Sequence, residues 1–368
     1  FLLSQDYVVQ KDPINYENTS EELLRDIFEE NAYILSHQRA IVLEVWDSGF
    51  SAIDERFNFV TAQWNDSYVW ARGFIDENRK GPAPKGFTDL LEVGDLVYLN
   101  KANDQIHLDQ IPRAQSSLIS YDPKTGEVLS YVGGATFNNS QFDRVRQSYP
   151  QSGSVFKPFI YASAFSDSYN PSSLINDGPI IFEDENLETF WRPENYSGKF
   201  YGEITLREAL IQSINIVSIK LLREIGLNKS TEIIDKFGFS KERLPQDLSL
   251  ALGSGNFSPA EVARGFSVFA NGGKISDIHY ISMIKDTNGN TIFDQSEVDT
   301  VNISSISAFP WLNTVQLNAS KPYLLLPPLE ASDPVIDPRV AFMIKDILRD
   351  ASQRGSNGRI TKFLNRDD

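Results

Sequence analysis

The spacing of apolar residues changes once along this 368-residue chain, near residues 110–114, and that change constrains the fold more than any other feature. Before it, short runs rich in β-branched and aromatic residues lie between Gly, Asp, Asn or Pro residues. These runs are Ala40–Val45, Phe57–Ala62, Tyr68–Arg72 and Asp95–Leu99. Such runs are typical of short β-strands, and with one amphipathic helix ahead of them they predict a small barrel or sandwich over residues 1–112.

Beyond that point the pattern predicts a hairpin followed mainly by helices. Two alternating runs separated by a tight turn form the hairpin, and apolar residues then recur at helical spacing. The predicted helices cover Phe156–Ala164, Leu206–Ile211, Ile216–Ile225 and Arg339–Leu348, and a second hairpin precedes the last of them. Strands, then helices, then strands again predict an α+β domain over residues 113–368, with helices packed on an antiparallel sheet.

Composition excludes several classes of function. The formal net charge is −16, so we do not expect a surface that neutralises nucleic-acid phosphates. The chain has no cysteine, which excludes disulfides and thiolate zinc sites, and its three scattered histidines make a histidine-based triad or metal cluster a poor prospect. We expect no metal site and no cofactor. Residues 1–113 carry 20 Asp and Glu against 10 Lys and Arg, which makes this part a candidate for docking a basic partner.

The strongest local signal for chemistry lies in Gly153–Phe159, where Ser154 and Lys157 are three positions apart. If a helix starts near Ser154, the two side chains lie one turn apart on one face, with the amine within reach of the hydroxyl. Serine is a poor nucleophile without a neighbouring base, and lysine can be that base once burial and nearby positive charge depress its pKa. The pattern predicts a Ser154 nucleophile activated by Lys157.

These short patterns occur more than once, so context has to decide between the copies. A second Ser-x-x-Lys begins at Ser282, but it lies in an alternating run that enters a hairpin and indicates a structural role. Ser-x-Asn occurs three times, and only the copy formed by Ser213 and Asn215 lies between two predicted helices. The context therefore favours Ser154, Lys157, Ser213 and Asn215 as one site.

Longer stretches of the chain resemble the class A penicillin-binding proteins, the bifunctional wall synthases of bacteria. The Ser-x-x-Lys and Ser-x-Asn elements follow each other in the order of that family, and the resemblance runs from residue 114 to about residue 290. The other stretches that carry it are Tyr131–Gly134, Phe142–Gln147, Arg192–Tyr196, Gly202–Arg207, Leu250–Ser254, Ala263–Phe266 and Ala270–Gly273. Residues 1–112 are similar to the OB-like barrel domain inserted in proteobacterial members, through Tyr68–Arg72 and Gly94–Tyr98.

This resemblance implies a peptidoglycan DD-transpeptidase that is a target of β-lactam antibiotics. It implies that Ser154 attacks the carbonyl between the two terminal D-alanines of a stem peptide while Lys157 takes the hydroxyl proton. It further implies that Ser213 passes a proton to the departing D-alanine and that Asn215 holds the amide of the substrate. β-Lactams would mimic the D-Ala-D-Ala terminus and leave a slowly hydrolysed adduct on Ser154.

The third motif of the family, Lys-Thr-Gly, is expected on a strand well after Ser-x-Asn. Residues Lys124–Gly126 have this sequence, but they lie before the nucleophile and among residues typical of a tight turn. We interpret them as part of that turn and not as the third motif. Arg359–Asp368 resembles the stretch just before the family's own copy, so we expect the C-terminal strands to be missing from this chain. Activity is therefore expected to require that C-terminal segment, as a nicked second chain or as further sequence, because it would supply one of two oxyanion-binding amides.

Two other functions stay open on the sequence. A serine β-lactamase shares the fold and the nucleophile, but it needs a fast deacylating base and usually lacks a leading barrel domain. A non-catalytic penicillin-sensing or assembly module would have no need for all four polar residues.

The resemblance also implies the partners and the location of the protein. The partners would be peptidoglycan stem peptides, β-lactams and an outer-membrane lipoprotein that activates the protein through residues 1–112. The location would be the periplasmic face of the bacterial inner membrane. No run reaches the ~18 apolar residues that a span needs, so the membrane anchor is not expected within this chain.

Overall fold

The computed structural model describes residues 20–30, 37–76, 79–102, 104–110, 115–137, 140–184, 189–295 and 334–355. The chain divides into two compact units. One consists of Phe1–Ser116 and Gly134–Phe142, and the other of Ser117–Gly133 and Asp143–Asp368. Within the described ranges, no helix has both the length and the apolar character needed to cross a bilayer.

The first unit is built on a five-stranded antiparallel sheet. Its elements are α1 (Glu21–Glu30), β1 (Gln38–Trp46), β2 (Gly49–Asp54), β3 (Phe59–Gln63), β4 (Phe74–Asp76), β5 (Arg79–Lys80), β6 (Leu96–Ala102) and β7 (Gln105–Asp109). The strand order is β3-β2-β1-β6-β7, and the outer strands β3 and β7 contact each other. The sheet therefore curls into the small barrel that the sequence predicts.

One predicted strand of this unit is wrong. The aromatic run Tyr68–Arg72 predicts a strand, but Asp66–Trp70 form a 3-10 helix. The Asn65 side chain accepts a hydrogen bond from the backbone N–H two residues on, at 3.0 Å, and this local cap competes with strand pairing. The Tyr68 ring then lies in the barrel core, where its hydroxyl accepts from the Leu108 backbone N–H at 3.0 Å.

The second unit surrounds one buried helix. Its elements are β8 (Leu118–Tyr121), β9 (Val128–Val132), α2 (Lys157–Phe165), β10 (Leu174–Asp177), β11 (Phe182–Asp184), β12 (Thr189–Trp191), β13 (Gly202–Thr205), α3 (Leu206–Ile211), α4 (Asn215–Ile225), α5 (Leu227–Asp235), α6 (Pro259–Ala270), β14 (Met283–Lys285), β15 (Thr291–Asp294) and α7 (Pro338–Arg354). The antiparallel pairs are β8-β9, β10-β13, β11-β12 and β14-β15.

Helix α2 is buried along its whole length. Most of its residues are apolar or small on every side, and a helix of that kind is stable only in an interior. Helices α3, α4, α5 and α7 pack around it, and the Phe159 ring meets Phe239 edge to face at 4.8 Å. Tight packing on all sides gives a fixed position to the first residue of the helix, Lys157.

Two predicted helices, α3 and α4, are confirmed. The predicted packing of a helix on an antiparallel hairpin is also confirmed. Helix α3 begins where the Thr205 hydroxyl accepts from the Glu208 N–H at 3.2 Å, and α4 ends at Gly226, whose φ is +91°. Helix α6 packs on β8, and the Tyr121 hydroxyl donates to the Ala263 carbonyl at 2.9 Å. The family-like tail, residues 359–368, lies outside the described residues.

Candidate active site

Ser154 lies in an exposed turn at the start of the buried helical segment. The 3-10 helix Gly153–Phe156 runs directly into α2, and the Ser154 carbonyl accepts a hydrogen bond from the Lys157 N–H. The Ser154 side chain is exposed, and no hydrogen bond from the described part of the chain engages its hydroxyl. Its oxygen is therefore accessible to an incoming carbonyl group.

The Lys157 amine is fully buried and lies among oxygen atoms. Its Nζ donates to the Ser213 backbone carbonyl at 2.6 Å and to Asn215 Oδ1 at 2.7 Å, and it lies 3.1 Å from Ser213 Oγ. Three of the four predicted site residues thus form one hydrogen-bonded cluster. Ser154 is linked to this cluster through the backbone, one helical turn before Lys157.

Burial changes the protonation of Lys157. Removal of the ammonium group from water disfavours its charge and lowers the pKa of Lys157 to about 8. In the neutral form, the amine can donate to two of its acceptors and still offer a lone pair to a hydroxyl proton. The sequence led us to expect that burial and a nearby positive charge would together lower the pKa of Lys157. Among the described residues, burial alone accounts for the lowered pKa.

The Ser213 backbone adopts a conformation that residues other than glycine rarely take. Its φ is +54°, in the turn between α3 and α4, and a non-glycine residue there costs on the order of 1 kcal/mol or more. The turn is held by hydrogen bonds from the Ser213 N–H to the Leu210 carbonyl at 3.1 Å and from the Ile214 N–H to the Ala209 carbonyl at 2.9 Å. Both the carbonyl and the hydroxyl of Ser213 consequently face the lysine amine.

Asn215 is held at both ends of its amide. Its Oδ1 accepts from Lys157, and its Nδ2 donates to the Glu194 carbonyl at 2.8 Å. A side-chain amide has two N–H donors and two lone pairs, so one of each remains for a ligand. The role of Asn215 in holding a substrate amide uses these remaining positions and stays a prediction.

The other copies of the motifs lie in different surroundings. Ser282 and Lys285 are both exposed, in contrast with the buried Lys157. Lys124–Gly126 lies in the β8–β9 turn, where Asp122 Oδ1 accepts from the Lys124 N–H at 2.7 Å. These positions agree with the structural roles that the sequence indicates for both copies.

The segment Ser249–Gly255 packs against the turn that carries the candidate nucleophile. The Gly153 N–H donates to the Gly253 carbonyl at 2.8 Å, and the Ser152 N–H donates to the Gly255 carbonyl at 3.0 Å. Ser152 Oγ lies 3.1 Å from each of the same two carbonyl oxygens. These contacts fix the backbone immediately before the nucleophile.

Gly253→Ala is expected to impair both stability and acylation. Gly253 has φ +75°, and a Cβ there would overlap the Gly153 carbonyl. Left-handed strain alone should lower the free energy of unfolding by about 1–2 kcal/mol, and the overlap should add to that loss. Because the displaced carbonyl precedes Ser154, the rate of β-lactam labelling should fall as well; urea unfolding and labelling kinetics measure the two effects.

Gly272→Ala is the matched control. Gly272 has φ +62°, and its Cβ position is open, so the variant has the backbone strain without the overlap. It should label at the rate of the unmodified protein. Equal unfolding free energies and equal labelling rates for the two variants would show that the Gly253 contact does not position the turn.

Sequence reasoning missed the residues that hold this site in place. Gly253 and Asn195 both lie in stretches that carry the family resemblance, Leu250–Ser254 and Arg192–Tyr196, but no role followed from their pattern. Asn195 accepts hydrogen bonds from the start of α4, and such a contact depends on tertiary structure. The residue types in those two stretches gave no indication of these contacts.

Two family models match the chain. The model described as "Penicillin binding protein transpeptidase domain" matches residues 117–364, well over half of the chain. The model described as "Penicillin-binding protein OB-like domain" matches residues 9–114. The second match confirms the OB-like barrel expected from the resemblance.

Similar proteins bear related names. Penicillin-binding protein 1A of Pseudomonas aeruginosa is 36% identical over 348 residues, which are 89% of this chain and 42% of the relative. Penicillin-binding protein 1A of Escherichia coli is 38% identical over 225 residues, 61% of this chain and 26% of the relative. The crystal structure of Penicillin-Binding Protein 1A from Haemophilus influenzae superposes with a TM-score of 0.76 at 25% identity, covering 97% of this chain and 52% of that one. The chain thus spans about half or less of each of these proteins.

Proposed function

Because the chain belongs to the class A penicillin-binding proteins, we propose that it is a serine-type peptidoglycan DD-transpeptidase. In this proposal Ser154 forms an acyl-enzyme with a stem peptide ending in D-Ala-D-Ala, and a second stem peptide then takes the acyl group to form a crosslink. β-Lactams acylate the same serine. The observation that carries the proposal is the buried Lys157 amine, which has a lowered pKa and lies one turn from an exposed serine.

Acylation is a proton transfer coupled to nucleophilic attack. Ser154 Oγ bonds to the carbonyl carbon of the penultimate D-alanine while its proton passes to the neutral Lys157 amine. The Ser154 N–H lies in the first helical turn, where backbone donors lack intrahelical acceptors, so it can donate to the developing oxyanion. When the carbon–nitrogen bond breaks, the departing D-alanine nitrogen takes a proton through Ser213, which lies 3.1 Å from Lys157 Nζ.

Deacylation reverses these roles with a different amine. The amino group of a neighbouring stem peptide attacks the ester carbonyl, its proton moves to the Lys157–Ser213 pair, and Ser154 regains its hydroxyl hydrogen. A new amide bond replaces the one that was broken, so no external energy source is needed. Asn215 would orient the stem-peptide amide with its remaining donor and acceptor.

The lifetime of the acyl-enzyme separates this function from a β-lactamase. The protein, used in the longest natural form that contains these 368 residues, should be labelled by fluorescent penicillin at Ser154. Intact mass and peptide mapping should show one adduct that persists for many minutes after free penicillin is removed. Adduct loss within seconds would identify a hydrolase, and a complete lack of adduct would identify an assembly module that does not react with penicillin.

We further propose a location at the periplasmic face of the inner membrane, where peptidoglycan stem peptides are accessible, with residues 1–112 docking an outer-membrane lipoprotein as an activator. The support is the acidic excess of this part of the chain, 20 acidic against 10 basic residues over 1–113, which favours a partner with a basic surface. Binding should weaken with ionic strength. If the intact protein retains no envelope lipoprotein at low salt, this docking role is wrong.

A further inference from the structure

The N-terminus of α4 is capped by a side chain from a distant segment. Ile214, which precedes the helix, has no polar side chain, and the backbone N–H groups of Asn215 and Ile216 donate to Asn195 Oδ1 at 3.1 and 3.2 Å. Asn195 is buried, with 5% of its surface exposed, between β12 and β13. The start of the helix that carries the candidate site is therefore fixed by a residue 20 positions earlier.

Asp177 determines which way the Asn195 amide points. Asn195 Nδ2 donates to both carboxylate oxygens of Asp177 at 3.0 Å and to the Lys199 carbonyl at 2.9 Å. A carboxylate accepts hydrogen bonds and does not donate, so the amide NH2 must face Asp177 and the amide oxygen must face α4. The Asp177–Asn195 pair therefore acts as a single directed cap on α4.

Burying the Asp177 carboxylate costs free energy, and a neutral side chain at this position would not have that cost. The Asp177 side chain has no exposed surface, and within the described ranges no Lys, Arg or His forms a direct ion pair with it; the Lys220 amine donates instead to the flanking Asn176 and Gly178 carbonyls at 2.8 and 2.9 Å. A buried carboxylate without a cation is unfavourable unless donors compensate it. Here the donors are Asn195, the Tyr201 N–H at 2.9 Å and, beyond Asn195, the positive end of α4. Charge strengthens each of these hydrogen bonds and restrains the cap more tightly than a neutral pair would.

The same loop also holds the Asn215 side chain. Asn215 Nδ2 donates to the carbonyl of Glu194, the neighbour of Asn195, while Asn215 Oδ1 faces the Lys157 amine. Residues 194 and 195 thus contact both the backbone N–H and the side chain of Asn215. A small displacement of residues 194–195 would move an acceptor of the lysine directly.

We propose that Asp177 and Asn195 are positioning residues for proton transfer at Lys157, an inference that rests on the proposed function. They hold the first turn of α4 so that Ser213 and Asn215 present their oxygen atoms to the lysine amine. Neither residue contacts the reacting atoms. A misplacement of about 1 Å at such a distance typically lowers a rate by ~10²-fold.

The test separates the chemical step from binding. Asn195→Asp keeps the shape of the side chain but cannot donate to Asp177, and it should lower the first-order rate constant of penicillin acylation by about 10- to 100-fold. The dissociation constant of the reversible penicillin complex should change by less than about threefold, since neither residue lines the exposed Ser154 turn. Asp177→Asn should likewise lower the acylation rate constant and leave the dissociation constant nearly unchanged. Stopped-flow labelling over a range of penicillin concentrations gives both constants.

Asn170, which is exposed, and Asp122, which is partly buried, supply matched control substitutions. Asn170 accepts a hydrogen bond from the Ser172 N–H at 2.9 Å, and Asp122 accepts one from the Lys124 N–H at 2.7 Å. In Asn170→Asp and Asp122→Asn the new side chain still has an oxygen that can accept the same hydrogen bond. Both controls should acylate at the rate of the unmodified protein.

The reciprocal double variant tests the pair directly. Asp177→Asn combined with Asn195→Asp restores one donor and one acceptor between the two positions, and it should recover most of the lost acylation rate. A double variant no faster than the slower single variant would contradict a direct interaction.

Three further outcomes are decisive. Single variants that are labelled at Ser154 with unchanged acylation constants would overturn the inference while leaving the proposed function intact. Failure of the unmodified protein to label at Ser154 would instead contradict the proposed function. Unfolding of both single variants, followed by circular dichroism, would show the pair to be structural and would equally overturn the inference.

Discussion

Ser154→Ala is expected to form no covalent adduct with penicillin, with acyl transfer reduced by at least about 10⁴-fold. The variant lacks the only oxygen that can form the ester at this position, and Lys157 cannot replace it because its amine is buried and bonded to Ser213 and Asn215. Stability should change by less than about 0.5 kcal/mol, because the Ser154 side chain is exposed. Intact-protein mass spectrometry and urea unfolding measure the two quantities.

Ser282→Ala is the control for this experiment. It removes the serine of the second Ser-x-x-Lys copy, which lies on the surface next to β14. Its labelling should equal that of the unmodified protein. An adduct that persists in Ser154→Ala and disappears in Ser282→Ala would move the nucleophile to the second copy.

The parts of the fold that local sequence determines were predictable. Helices α3 and α4 follow from apolar spacing, and their ends follow from a capping threonine and a glycine, Thr205 and Gly226. The relation of Ser154 to Lys157 follows in the same way, since three positions within a helical segment span one turn. These features depend on neighbours within a few residues, and such interactions can be read from one sequence.

The environment of the site could not be predicted from the same sequence. Lys157 meets the Ser213 carbonyl across 56 positions, and Asn195 meets α4 across 20, so both contacts depend on how the helices pack. The left-handed backbone of Ser213 has no sequence signal, because serine gives no indication of a positive φ. The 3-10 helix Asp66–Trp70 was missed for a different reason, because the aromatic run has strand propensity, and both the local Asn65 cap and the burial of Tyr68 outweigh that propensity.

The rate of acylation by penicillin is expected to rise with pH, with a midpoint near the pKa of Lys157, about 8. The sign follows from the role of the base: protonated Lys157 cannot accept the Ser154 proton, and its neutral fraction increases as pH rises through that pKa. The rate constant at pH 6 should be about 1% of the plateau above pH 9. A profile that is flat, or that falls between pH 6 and pH 9, would contradict a neutral lysine base.

Lys157→Met should slow acylation and abolish its pH dependence. Methionine is close to lysine in length and lacks the amine, so the rate should fall by about 10²–10⁴-fold, the usual contribution of a general base. Ser213 and Asn215 would each lose a donor, which should also lower stability by about 1–3 kcal/mol per acceptor left unpaired. Lys285→Met, at the exposed second copy, controls for loss of a lysine and should keep the rising profile. If Lys157→Met retained that profile, the titrating group would have to be another residue and the lysine would serve only to hold the Ser213 turn.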